Sequence, residues 1–354
     1  MSTNTKRRAP AAVDRHGGAV RVGQLMALPG LLHEMGVPPR CAFDRAGVRP
    51  RAFADAENFI SYEEAGRLLA GCVHLTGCAH FALLVGGRAK LADFGLLGEQ
   101  MRHATTVGEA LRVLLLQLYL FDSVAVPLLV RTDTTSVLLA YSTTLRDMEA
   151  VDQVYDLAIA VGFKLMRELG GASWRPLEVQ FAHRPPVSAA PYRQLFGAPV
   201  RFDCEVSGLL FRQAWLERAI DGADAAAGLR ARRALEQATA GQPMPFSYQV
   251  ERVLHQLLVV TSPSSDDVAR LFAISPRALR LRLQGDGTSF QQLLARVRFG
   301  TARRLMQNTR LDLSAVAAAL RYADLASFSR AFSRWAGSSP RRWRAAHAGT
   351  PPRG

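Results

Sequence analysis

The chain is 354 residues long and 49% hydrophobic, enough to bury a sizeable core and to form two domains. Its net charge of +14 sits unevenly: residues 1–20 carry four cations and one acid, residues 21–246 carry 23 of each sign, and residues 247–354 carry 17 cations, all Arg, against six acids. A neutral body with an Arg-only cationic end points to a polyanionic partner, and four cysteines in a chain this long exclude a disulfide framework.

Residues 1–19 are polar, basic and punctuated by Gly and Pro, so a disordered arm is expected there. No apolar h-region follows Arg7-Arg8, so no signal peptide is expected. Ser61 opens a helix with Tyr62, Ala65, Leu68, Leu69 and Val73 at helical spacing and Glu63 and Glu64 in the first turn. A second helix covers 106–119, where Thr106 and Glu109 fit a capping box. The most apolar stretch, 113–130, is broken by Gln117, Asp122 and Pro127, which argues against a membrane span and for a cytoplasmic protein. Strands are expected at 124–130 and 136–141, then a long helix over 148–169 and a strand over 177–182. Helices and strands mix without a strict βαβ rhythm, so the body at 20–220 reads as α+β. Residues 221–246 shift to Ala, Gly and charge and end in Pro243 and Pro245, the composition of a partly helical linker.

Residues 247–346 read as all-α. A helix over 247–260 is followed by a short helix over 266–271 that Ser264 caps, with Asp266 and Asp267 at its positive end. After a turn at 272–274, Ser275 caps a helix with Pro276 at its first position. Leu279 and Leu283 face inward, and Arg277, Arg280, Leu281 and Gln284 form the opposite face. That is a helix-turn-helix layout, with the second helix shaped for a major groove. A long helix over 289–307 leads to a repeat of the pattern: a short helix over 314–320, a turn at 321–323, and a helix that Asp324 caps. Phe328, Phe332 and Trp335 turn inward there, and Leu325, Ala326, Ser329, Arg330 and Arg334 are candidates for DNA contact. A final helix starts near Ser339-Pro340, and residues 347–354 read as a disordered tail.

Residues 267–283 resemble the first helix-turn-helix of AraC-type regulators, and 326–340 resemble the second unit and its closing signature, with Phe328, Arg330, Phe332, Gly337 and Pro340 matching. Residues 94–98, 104–111 and 192–202 are similar to the arabinose-binding-like sensor domain of the subgroup that contains the ornithine-utilisation regulator. The resemblance implies a sequence-specific regulator of transcription, expected to be an activator. It implies an N-terminal domain that binds a small-molecule effector and dimerises, and the partners it implies are operator DNA and RNA polymerase.

Two positions depart from the family pattern. Leu281 stands where a cation is usual, and could pack on a thymine methyl instead. Arg321 stands where the family has Gly, a cost of about 1 kcal/mol if the backbone keeps a positive φ. Cys72, His74, Cys78 and His80 are zinc-ligating residue types, but Cys72 and His74 lie two apart on a helix and diverge by about 200°, so no metal site is assigned. Phe94, Tyr119 and Tyr155 are open to two readings, effector cavity or ordinary packing. No phosphate loop, nucleophile elbow or zinc-protease motif is present, so neither catalysis nor a cofactor is expected. A body that only dimerises, or that senses a metal, is the alternative function.

Overall fold

The computed structural model describes residues 18–145, 149–239 and 244–347. Residues 1–17 of the expected arm lie outside the described residues, and its last residue, Ala19, is ordered instead: β1 (Ala19–Arg21) is buried and pairs with β2 (Phe59–Ser61). Between these strands run α1 (Leu28–Glu34) and α2 (Pro39–Ala46). Next comes α3 (Tyr62–Thr76), where Ser61 and Glu64 close a full capping box. The chain continues through α4 (Phe81–Gly86), α5 (Gly95–Arg102) and α6 (Val107–Gln117). The box expected at α6 is half formed. Thr106 accepts from Glu109 N–H, but the Glu109 carboxylate reaches past it to Thr105.

The main sheet follows: β3 (Ala125–Arg131), β4 (Ser136–Thr143), β5 (Glu178–Gln180), β6 (Val200–Arg201) and β7 (Ser207–Arg212), in spatial order β3-β4-β7-β5-β6. Every neighbouring pair is antiparallel except β5 with β6. β5 is shorter than expected from the sequence. Period-two alternation splits the sheet into two apolar faces. Ala125, Val137, Leu139 and Leu209 join the large N-terminal core beside α7 (Val151–Gly170), while Val126, Leu128, Leu138 and Ala140 form a separate patch on the other side. The first expected residue of the long helix, Met148, lies outside the described residues. A Cβ at Gly86 would come within 2.6 Å of the Leu157 carbonyl, so only glycine lets α4 approach α7 this closely. One residue earlier on α7, Asp156 accepts hydrogen bonds from Tyr192 of α8 (Ala190–Phe196) at 2.6 Å and from His183 at 3.0 Å.

The expected linker needs correction. Most of it is α9 (Ala225–Thr239), which lies on α5 with Ala231 and Leu235 buried, so it belongs to the N-terminal body. Its apolar positions are too few to read as an amphipathic helix without knowing what they cover. Residues 240–243 lie outside the described residues.

The C-terminal domain runs through α10 (Phe246–Val260), α11 (Ser265–Leu271), α12 (Pro276–Gly285), α13 (Phe290–Asn308), α14 (Leu313–Ala319), α15 (Leu325–Ala336) and α16 (Pro340–His347). The residues after His347 lie outside the described ones. Side chains of Ser264, Ser275, Ser289, Asp312 and Asp324 each accept the N–H three residues on, so every element from α11 to α15 starts at a polar cap. One core, from Val250 and Leu254 to Phe328, Phe332 and Trp343, holds the domain together.

The two domains meet along the edge strand β3. Three side chains spaced four apart on α10 donate to three carbonyls spaced two apart on the strand and its lead-in: Tyr248 to Ser123, Arg252 to Ala125, and Gln256 to Pro127 at 3.2 Å. Four helical residues rise about 6.0 Å and two strand residues about 6.8 Å, so the two periods run nearly in step. The ladder satisfies carbonyls that an edge strand otherwise leaves unpaired. Val259 packs on the outer sheet patch, and Ala182, two residues beyond β5, joins the C-terminal core.

Candidate nucleic-acid interface

The two halves of the C-terminal domain share one local construction. At the end of α11, Ala273 N–H bonds to the Arg270 carbonyl and Ile274 N–H to that of Ala269. At the end of α14, Arg321 bonds to Ala318 and Tyr322 to Ala317 in the same pattern. Both are Schellman closures, and both need a left-handed residue: Ala273 has φ 52° and Arg321 φ 59°. The second turn is one residue longer, with its cap at Asp324 where the first has Ser275.

The left-handed backbone expected at Arg321 is therefore present, but the side chain offsets part of its cost. Its guanidinium donates to the Leu258 and Val259 carbonyls at the end of α10. Those carbonyls lack helical partners, and a cation there also meets the negative end of the helix dipole. Glycine would relieve the backbone and lose both contacts.

On α12, Leu279 and Leu283 are buried, while Arg277, Arg280, Leu281 and Gln284 are exposed, Leu281 at 56%. On α15, Phe328 and Phe332 are buried. Leu325, Ala326, Arg330 and Arg334 are exposed, and Ser329 is half-buried. Trp335, expected inward, is half-buried against Phe299. Arg330 is steadied by the Ser327 hydroxyl at 3.0 Å. Asp324 accepts the Ser327 N–H at 2.6 Å, and that bond holds its carboxyl below the usual range, an anion fixed at the positive end of α15.

A concavity beside α12, lined by Arg277, Arg280 and Gln284, and another beside α15, lined by Ser327, Arg330 and Arg334, both include Gln291 of α13. The two helices therefore open on the same side of the helix that connects them. Sequence reasoning missed α13's part in this surface. Gln291 and Arg298 lie seven apart on its outward stripe, and Arg298 stacks over Tyr322, 4.8 Å from the ring centre, while bonding to Ser262. Two polar residues two turns apart, opposite Leu293 and Val297, were the available signal.

The other candidates fall elsewhere. Cys72 packs in the N-terminal core, where burial pushes its thiol up to about 12 and disfavours the thiolate that a metal needs. Burial also raises the Cys78 thiol. Among the described residues no group of three or more His, Cys, Asp or Glu side chains is placed to hold a metal ion, and no helix is long and apolar enough to cross a membrane. Phe94 lines a cavity of about 70 Å³ inside the N-terminal domain. Tyr119 instead lies under the Arg252 guanidinium at the domain boundary, and Tyr155 packs edge-on against Tyr141 beside a second cleft between the domains.

Two regions of the chain match known families. Residues 36–220 match the family model described as the arabinose-binding domain of AraC transcription regulators, and residues 268–346 match a helix-turn-helix domain model. The chain is 27% identical over 331 residues to the HTH-type transcriptional regulator VirS of Mycobacterium tuberculosis, covering 93% of this chain and 97% of that protein. It is 28% identical over 330 residues to the ornithine utilization regulator of Pseudomonas aeruginosa, covering 92% and 96%. Among solved structures, the transcriptional regulator CdpR of Pseudomonas aeruginosa aligns over 91% of this chain and 98% of its own, at 22% identity and a TM-score of 0.46.

Proposed function

The chain belongs to the AraC-type DNA-binding transcription regulators with an arabinose-binding-type N-terminal domain, and from that premise we propose that it is an effector-responsive activator. In this reading α12 and α15 enter successive major-groove segments on one face of the duplex, about 10 bp apart. Arg277 and Arg280 read bases in one segment, and Ser329 and Arg330 in the other. Leu281, Gln284, Leu325, Ala326 and Arg334 complete the contact surfaces, and Arg298 holds backbone phosphate between them. The observation that carries the reading is the shared opening of the two exposed Arg-bearing helices on the Gln291 side of α13. The body at 20–220 senses the effector and dimerises, α9 travels with it, and residues 247–346 bind DNA and present a surface to RNA polymerase. Cytoplasmic action fits this role. The effector changes DNA binding only to the extent that it favours one arrangement of the domains over another.

The test is anisotropy of the full-length protein on a duplex selected from a random pool, against a scrambled duplex, over a salt series. Competitor-resistant binding with a steep negative salt slope is expected. Equal loss to scrambled DNA would remove the base-reading assignment. Transcription in vitro that falls when the protein is added would replace activation by repression.

A further inference from the structure

The cavity inside the N-terminal domain is walled by hydrocarbon side chains such as Leu25, Leu69, Phe94 and Leu165, and carries its polar groups as a cluster. Asp122, 3% exposed, accepts the Tyr62 hydroxyl at 2.6 Å, and Tyr62 lies 3.4 Å from the Tyr141 hydroxyl. Asp122 also accepts the N–H groups of Val124 at 3.3 Å and Ala125 at 3.0 Å. A carboxylate has about four lone-pair sites, so one is left over. With the Tyr62 proton on Asp122 and the Tyr141 proton on Tyr62, the cluster's remaining capacity is to accept. Burial, set against these hydrogen bonds and the charge of Arg252, pushes the Asp122 carboxyl up to about 6, so at neutral pH it is an anion short of solvation. One other polar wall group, the Gln24 amide, has a nitrogen without a partner among the described residues.

Resting on the reading of this domain as a sensor, we infer that the cavity takes a compact apolar amine whose ammonium docks on Asp122 and the Tyr141 hydroxyl, and that the 122–127 segment carries its arrival to α10. A polyhydroxylated ligand finds too few partners in such a wall, and a carboxylate meets a like charge. The volume of 70 Å³ is about half that of an engineered cavity that accepts the six heavy atoms of benzene, so about three heavy atoms fit without rearrangement and a longer chain enters as the wall relaxes. The route outward is short. Asp122 holds the backbone N–H groups of residues 124 and 125, and the carbonyls of Ser123, Ala125 and Pro127 are those that Tyr248, Arg252 and Gln256 grip from the DNA-binding domain. A group that pulls on the Asp122 carboxylate pulls on the turn from which the first two rungs hang.

The experiment titrates full-length protein with n-butylamine, n-butanol and sodium butyrate at matched ionic strength, read by calorimetry and thermal melting, and then repeats DNA anisotropy with and without amine. The amine should bind about tenfold more tightly than the alcohol, with butyrate weakest, and Asp122→Asn should lose about tenfold for the amine while leaving the alcohol unchanged. Tyr141→Phe, which keeps the ring, should weaken the amine several-fold and serves if Asp122→Asn melts early. Tyr248→Phe should bind amine like the wild type yet lose the amine-dependent change in DNA affinity. Butyrate or butanol binding best would overturn the amine class and leave the sensor intact. Equal amine binding by wild type and both cavity variants would overturn the docking site. Binding by none of the three would overturn the inference together with the sensor reading of this cavity. An unchanged DNA response in Tyr248→Phe, or no response in the wild type, would overturn the route.

Discussion

The two helix-turn-helix units are built alike and supported differently. Each closes its first helix with the same pair of backbone hydrogen bonds through a left-handed residue. The first unit fills its interior with aliphatic side chains, Val268, Leu279 and Leu283; the second uses Phe328 and Phe332, joined by Trp343 and Tyr322. The first has Ala273 at the left-handed position, and the second has Arg321, which ties its turn to α10. The second also leans on the N-terminal domain: the N–H of Arg310, just before α14, donates to Asp203, and Ala182 joins the shared core. Val268-Ala269 and Val316-Ala317 are buried at matching places after the two caps, so backbone geometry and the first helix's inward pair repeat while the side chains on the second helix change.

The largest expected effect separates the two interiors. Phe332→Ala should cost about 3–5 kcal/mol in urea unfolding of the full-length protein, and Leu283→Ala about 2–5 kcal/mol. Hydrogen exchange should place the loosening in α14–α16 for the first and in α11–α12 for the second; exchange that rises equally in both units would mean they fold as one body. Next come the reading heads. Arg280→Ala and Arg330→Ala should each lose about 1–3 kcal/mol of affinity at a single position of the bound duplex, whereas Arg298→Ala should weaken all sequences alike and lower the salt slope by about 1. Arg280→Ala acting uniformly would move α12 out of the groove.

A smaller effect isolates the turns. Ala273→Gly should raise stability by up to about 1 kcal/mol, because glycine accepts the left-handed backbone freely. Arg321→Gly should gain nothing, since it removes the cap on the Leu258 and Val259 carbonyls. Equal gains from both would show that the Arg321 contacts contribute no stability.

The smallest effect is on the support beneath the second unit. Burial pushes His183 down, but the Asp156 charge and hydrogen bond, the Arg184 carbonyl and Asp152 together raise it above 6.5. The protonated ring can then donate to both Asp156 and the Arg184 carbonyl. A raised folded value means that its contribution is complete below about 6.5 and fades as pH climbs through the folded value. Exchange in α14–α16 should therefore rise on the alkaline side more than in α11–α12, and His183→Gln should flatten that difference. A difference unchanged in the variant would place the pH sensitivity elsewhere.

What was legible in the sequence follows the range of the interaction. The caps at Ser264, Ser275 and Asp324, and the inward faces at Leu279, Leu283, Phe328 and Phe332, depend on neighbours three or four residues away, and the structure has them where the pattern put them. The positive φ at Arg321 was legible from the family pattern, but its compensation was not, because its partners lie 63 and 62 residues earlier. The docking of α9 on α5, the sheet order and the shared opening at Gln291 depend likewise on contacts that no local spacing announces. Asp122 first read as an interruption in an apolar run; its role as the polar anchor of a cavity came from residues 60 and 19 positions away, Tyr62 and Tyr141.

The meeting of α10 with β3 has a consequence for how the domains can move. Helix and strand advance by about 6.0 and 6.8 Å per rung, like two scales of slightly different pitch, so each rung adds a mismatch of about 0.8 Å. Three rungs stay within hydrogen-bonding tolerance; a fourth would join Val260, which has no side-chain donor, to the Leu129 carbonyl. A roll by one helix residue swings all three donors away by about 100°. The three grips are therefore set by one rotation of α10 on β3, and turning the helix by a single residue would release them together.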